Sequence, residues 1–205
     1  MYEKIGPIVF PPPIGIVVNM MPISRERFPS ELAAYRPLVD DCGFDGVQYL
    51  TVHESVVRQG DTQRRPGIHT DGTKILCWGG GGWGGGSPSP APAPKPAPKP
   101  KRTAGIYMAS TDGRCNVWGS MVYDVDTHGK VLCDLGAPDQ MLPGTLYWMT
   151  DRTPHESLPS ERTGWRQFFR LVSGEVSTWY SRHSTPNPLG LLPTCRIDDS
   201  DKFAK

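Results

Sequence analysis

Between Gly79 and Arg102 the chain offers nothing that can be packed. Trp78-Gly79-Gly80-Gly81-Gly82-Trp83-Gly84-Gly85-Gly86 runs into Ser87-Pro88-Ser89-Pro90, then into alternating Ala-Pro and Lys-Pro that ends at Lys101-Arg102. Glycine brings no side chain to a core, and proline removes a backbone donor. The glycine part is expected to be flexible and the proline part extended as polyproline II. Whatever folds must therefore be assembled from the segments on either side. If groups on both sides meet in one site, the tract is an insertion within one domain and not a linker between two.

Such groups exist. His69-Thr70-Asp71 lies before the tract, and Pro154-His155 and Arg166 lie after it. In a strand, side chains alternate faces, so His69 and Asp71 point the same way and can share one metal ion. Two histidines and one carboxylate leave coordination positions open, which suits a non-haem Fe(II) oxygenase. The strand setting gives the short motif its weight. Gly46–His53 is strand-forming, and Pro66-Gly67 marks a turn into a new strand at Ile68. Leu142-Pro143-Gly144 turns into the apolar Thr145–Met149, which runs on through Asp151-Arg152-Thr153 to His155. In Trp165–Val172, period-two alternation places Arg166, Phe168 and Arg170 on one face, and Trp165, Gln167, Phe169 and Leu171 on the other. A guanidinium on an inward face offers a forked grip on a carboxylate.

Over roughly residues 46 to 180 this arrangement resembles the Fe(II)/2-oxoglutarate-dependent dioxygenases of the double-stranded β-helix (cupin-like) class. The resemblance implies a single, mainly β jelly-roll domain over residues 1–205, with one short N-terminal helix and residues 79–102 as an insertion. It implies His69, Asp71 and His155 as ligands of Fe(II), and Arg166 as the anchor of the far carboxylate of 2-oxoglutarate, with Arg170 in reserve. Tyr107 and Asn116 lie on strands where this class places polar groups against the cosubstrate carboxylate. The implied reaction is hydroxylation of a small-molecule or peptidyl substrate. The Ala-Pro-Lys repeats resemble tracts in proteins of large algal DNA viruses, which implies a viral origin and admits a virion role.

Each residue also has a plain structural reading. Asp71-Gly72 is a common turn dipeptide, His155 reads equally as a loop residue after Pro154, and Arg166 as a surface residue paired with Glu161 or Glu175. His53 alternates with Tyr49 and Thr51 as a core or rim histidine. The rival functions are a non-catalytic jelly-roll structural or binding protein, and a metal-binding cupin without 2-oxoglutarate. The glycine segment after Asp71 is expected to serve as a lid over the site, and the Pro/Lys tract as a tether to a partner protein.

Two further hairpins are expected. Ala104–Ser110 and Cys115–Trp118 flank Asp112-Gly113, and Met121–Val125 and Lys130–Leu132 flank Asp126–Gly129. Pro29–Val39 is the expected helix, and Ile14–Met21 a first core strand. A net charge of +1 makes no global case for nucleic acid or an anionic membrane. The odd set Cys42, Cys77, Cys115, Cys133 and Cys195 lacks any Cys-x-x-Cys pair, which favours a reducing, cytoplasmic compartment. No signal peptide is evident, and the apolar run at Ile14–Met21 is too short to span a bilayer.

Overall fold

The computed structural model describes residues 1–43, 45–73, 78 and 104–202. The lid, the Pro/Lys tether and the insertion at 79–102 lie outside the described residues, as does Cys77.

The protein is mainly β. Its strands are β1 (Tyr2–Pro7), β2 (Val17–Ile23), β3 (Gln48–Val57), β4 (Gly105–Ser110), β5 (Cys115–Val117), β6 (Asp139–Gln140), β7 (Thr145–Met149), β8 (His155–Ser157), β9 (Gly164–Ser173), β10 (Thr178–Tyr180) and β11 (Arg196–Asp198). Six form one sheet in the order β1-β7-β4-β9-β3-β2, with every neighbour antiparallel. A smaller sheet, β6-β5-β8, is widened by bridges from His155 to His69 and from His69 to Lys130. β10 and β11 form a separate parallel pair.

Both faces of the large sheet are covered, which is why β4 and β7 are buried along their whole length instead of alternating. On one face Leu50, Val52, Tyr107, Trp148, Phe169 and Leu171 pack against Leu32, Tyr35, Leu38 and Val39. On the other, Tyr49, Ile106, Met108, Tyr147 and Phe168 meet Cys115 and Val117 of the small sheet. Each fully buried large apolar side chain contributes about 1.5–3 kcal/mol.

The expected helix is two elements, a 3-10 helix at Ser30–Tyr35 and α1 at Arg36–Cys42. Pro37 is tolerated in the first turn of α1, where its missing N–H costs no intrahelical bond. Gly43, at φ 68°, ends α1 in the left-handed region and donates its N–H to the Asp40 carbonyl at 3.0 Å.

The turn at Asp112-Gly113 does not make a hairpin. β4 pairs with β7 and β9, whereas β5 pairs with β6 and β8, so the turn carries the chain from the large sheet to the small one. Asp112 organises it by accepting from Ser110 Oγ and the Arg114 N–H, while Gly113 at φ 60° lies where a Cβ would come within 2.4 Å of the Met141 carbonyl. The later turn does close on itself: Val125 bridges Val131, and Asp126 Oδ1 accepts from the His128 and Lys130 N–H groups.

A buried carboxylate fastens the helical face. Glu54 Oε2 accepts the N–H groups of Ile14, Gly15 and Ile16 at 2.7–2.8 Å. Its Oε1 accepts from the Tyr35 hydroxyl at 2.6 Å and Gln167 Nε2 at 3.0 Å. Among the described residues no helix is long and apolar enough to cross a membrane, and Cys42, Cys115, Cys133 and Cys195 are free thiols.

Burial works to raise the Glu54 pKa, but the Tyr35 hydroxyl and the backbone donors outweigh it and hold the carboxyl below its usual range. A lowered folded pKa means stabilisation that is complete above the unfolded value of about 4.3 and disappears as the pH falls through the folded one. Glu54→Gln is expected to lower the unfolding free energy at pH 7 by about 2 kcal/mol in urea titration. The gap between wild type and variant should close as the pH drops below about 4.

Candidate functional site

His69 and His155 face each other across an antiparallel pair. The His69 N–H donates to the His155 carbonyl at 3.0 Å, and the His155 N–H donates back to the His69 carbonyl at 2.9 Å. Residues opposed in this way carry their side chains on one face, and the two imidazoles stand 4.6 Å apart between centroids. His69 Nδ1 lies 2.7 Å from the Gly67 carbonyl, and His155 Nδ1 lies 3.0 Å from the Thr153 carbonyl. A carbonyl only accepts, so each Nδ1 carries a proton, which in a neutral ring leaves the lone pair on Nε2. Burial, then the neighbouring His155, pushes the His69 pKa down to about 3, so its ring stays neutral.

Asp71 follows two residues later, and its side chain is also buried. Oδ1 accepts from Arg170 Nη1 at 3.0 Å. Oδ2 lies 3.9 Å from His155 Nε2 and is buried without a hydrogen-bond partner. Burial works to raise the carboxyl pKa, yet the Arg170 guanidinium, the two imidazoles and Lys202 hold it well below the usual carboxylate range. Asp71 is thus no solvated turn residue. The glycine after it answers to packing, since a Cβ at Gly72 would lie 2.4 Å from Asp151 Oδ2. Among the described residues no group of three or more His, Cys, Asp or Glu stands assembled to hold a metal ion; Asp71 is engaged by Arg170.

The alternation in β9 places Arg166, Phe168 and Arg170 on the face shared with Ser55, His53 and Thr51 of β3. Arg166 is buried and pairs with neither Glu161 nor Glu175. Its Nε lies 2.8 Å from Asp112 Oδ1 and 3.1 Å from Ser110 Oγ, while Nη2 donates to the Arg114 carbonyl at 3.2 Å. Arg166 and the two histidines line one cavity of about 50 Å³, together with Met108 and Phe168. A neighbouring cavity of about 190 Å³ is lined by Asn19, Asp71, Trp78 and Lys202. Arg64, Arg65, His69 and Arg170 contribute to both. A further hollow beside α1, lined by Arg25, Arg36 and Asp40, includes none of these groups.

Tyr107 and Asn116 do not join them. Tyr107 pairs with Leu171 and Trp148, one residue out of register with Met108, so it packs on the helical face of the sheet. Asn116 lies between the inward Cys115 and Val117, and its Nδ2 donates to Glu156 Oε1 at 2.9 Å. Neither lines the cavity beside the histidines. Arg170 lines this cavity and pairs with Asp71 through Nη1.

Among the charged lining groups, Arg64 and Lys202 did not figure in the sequence reading. Gln63 delivers Arg64 to the site. Its Nε2 lies within hydrogen-bonding distance of the His53 carbonyl (3.0 Å), Ser55 Oγ (3.0 Å) and the Arg166 carbonyl (2.8 Å), which fastens the loop onto β3 and β9. Arg64 then lies over the Phe168 ring at 5.0 Å. The Arg64-Arg65 doublet close before His69 was a visible signal; Lys202, far along the chain, offered none. Lys202 Nζ stands 3.9 Å from the centroid of the Trp78 ring.

Gly129 holds the His69–Asp71 segment from its other side. Its carbonyl accepts the Thr70 N–H at 2.8 Å, and at φ 82° a Cβ would lie 2.3 Å from the Thr70 carbonyl. Gly129→Ala is expected to cost more than about 1 kcal/mol in thermal or urea unfolding, from the positive φ together with that clash.

Against protein-family models, curated proteins and solved structures, the chain matches none. What the cavity does must be argued from its own chemistry.

Proposed function

We propose that this protein is an Fe(II)- and 2-oxoglutarate-dependent oxygenase that hydroxylates its substrate, on a double-stranded β-helix formed by the six-stranded sheet and the small sheet facing it. The observation that carries the reading is the cross-strand histidine pair. Two imidazoles whose Nδ1 protons are taken up by backbone carbonyls, beside a buried carboxylate oxygen that lacks a hydrogen-bond partner, form a donor set suited to a cation.

His69, His155 and Asp71 would hold the metal ion. Iron bound there supplies chelation of an oxo-acid and one-electron chemistry toward dioxygen, coupling substrate hydroxylation to conversion of 2-oxoglutarate into succinate and carbon dioxide. The chain's own part is positional. The Gly67 and Thr153 carbonyls fix both imidazole tautomers, and Arg170 keeps Asp71 ionised and orients it. Arg166, at the far side of the same cavity, is the group that would receive the distal carboxylate of the cosubstrate.

A second reading, a metal-binding cupin that uses no 2-oxoglutarate, is favoured by the partners Arg166 already has. A cosubstrate carboxylate would have to compete with Asp112 at 2.8 Å.

Anaerobic addition of Fe(II) and then 2-oxoglutarate should give a weak visible charge-transfer band. His69→Ala with His155→Ala should weaken iron retention by at least about 100-fold. Arg166→Ala should keep the iron and lose the band; a band that survives unchanged supports the second reading. If the wild-type protein retains no iron after gel filtration, both metal readings fail and a non-catalytic binding role replaces them.

A further inference from the structure

The larger of the two cavities beside the histidines carries an imbalance of charge. Arg64, Arg65, Arg170 and Lys202 line it, and Asp71 is the one carboxylate among its described lining residues. That carboxylate is already taken up by Arg170 at 3.0 Å. Arg65 donates to a neutral group, the His128 carbonyl, at 2.7 Å. Arg64 has the Phe168 ring beneath it but makes no hydrogen bond or ion pair among the described residues.

Arg64 is half-buried, and a guanidinium partly withdrawn from water without a counter-charge carries a cost that chains normally avoid by pairing. Burial and the neighbouring Arg170 push the Arg64 pKa down to about 10, and burial brings Lys202 to about 8 although Asp71 opposes it. Both groups nevertheless stay largely protonated at neutral pH. Asn19, His183 and Ser184 add polar groups to the same wall. At about 190 Å³ the space far exceeds the roughly 10–15 Å³ that one water occupies.

We propose that this cavity binds an anionic group, a carboxylate or a phosphate, of the molecule on which the neighbouring site acts, with Arg64 and Lys202 as its principal anchors. The assignment of that anion as substrate rests on the oxygenase reading; the anion site itself does not. It is also distinct from the position proposed for 2-oxoglutarate. Arg166, which would serve that cosubstrate, lines the smaller cavity and already has Asp112 as its counter-charge, whereas Arg64 faces both cavities with its donors unused. An anion held by Arg64 and Lys202 would lie beside Asp71 and His69, within the walls of the same cavity.

The test uses the full chain freed of metal by chelation, with no 2-oxoglutarate present. Inorganic phosphate and acetate, neither of them a dicarboxylate like the cosubstrate, are titrated separately by calorimetry into the wild type and into Arg64→Gln, Lys202→Gln and Arg166→Gln, with circular dichroism verifying each fold. At least one anion should bind the wild type. Arg64→Gln and Lys202→Gln should each weaken it about tenfold or more, the usual effect of losing a charge-assisted hydrogen bond, while Arg166→Gln should change it less than about twofold. If Arg64→Gln does not fold, Lys202→Gln decides, because Lys202 lies outside every strand and helix. Preference for phosphate points to a phosphate-bearing substrate and preference for acetate to a carboxylate-bearing one. The proposal is overturned if neither anion binds the wild type, or if binding is lost in Arg166→Gln and kept in the other two. Because no iron enters these titrations, a failure of iron retention leaves their outcome untouched.

Discussion

The Glu54 carboxylate is the fastening on which the rest of the structure depends. It gathers the backbone of Ile14, Gly15 and Ile16, the hydroxyl of Tyr35 and the amide of Gln167 around one buried charge. It thereby ties the proline-rich N-terminal segment and the 3-10 helix to β3 and β9, where Glu54 and Gln167 stand directly opposite each other. The neighbouring pairs in the same register, Ser55 with Arg166 and His53 with Phe168, point to the other face. One side of this strand pair is therefore anchored by a satisfied polar network so that the other can carry the cationic groups of the cavities. A fully partnered buried charge specifies a single arrangement, whereas a half-partnered one would work against it.

The opposite face is organised by contrasting electrostatics. Its charges are mostly cationic, and its counter-charges are few and already engaged: Asp71 by Arg170 and Asp112 by Arg166. A β-bulge between Val18 and Met21 in β2 re-aims the chain at the rim, with Met20 at φ 47°. It is held by the Met20 N–H on Thr51 Oγ1 and by Trp179 Nε1 on the Met20 carbonyl, and it sets Asn19 on the cavity wall. Bulges of this kind commonly re-aim side chains beside functional sites.

How much of this was legible in the sequence follows from the range of the interactions involved. The period-two alternation of Trp165–Leu171 correctly divides Arg166, Phe168 and Arg170 from Trp165, Gln167 and Phe169, because a strand's two faces are a local property. The strands around His53, Trp148 and Phe168 were likewise readable from local pattern. Strand pairing was not. Asp112-Gly113 carries good hairpin chemistry, yet β4 and β5 find partners in different sheets, a choice made by residues far away in sequence. Tyr107 was misplaced by a single step of parity, which is enough to send a side chain to the other face. Glu54 and Lys202 acquire their roles from partners distant along the chain, and no window around them signals it.

The reciprocal bond between His69 and His155 has a consequence for how the pair behaves in time. The rings are carried by backbones locked to each other on both sides, from the N–H of each to the carbonyl of the other, and each ring is tethered in turn to a carbonyl two residues before it. Their separation is thus set largely by the sheet, with little side-chain entropy left to be lost in fixing it. Parting the two imidazoles requires opening the ladder itself, so their spacing follows the local breathing of the strands.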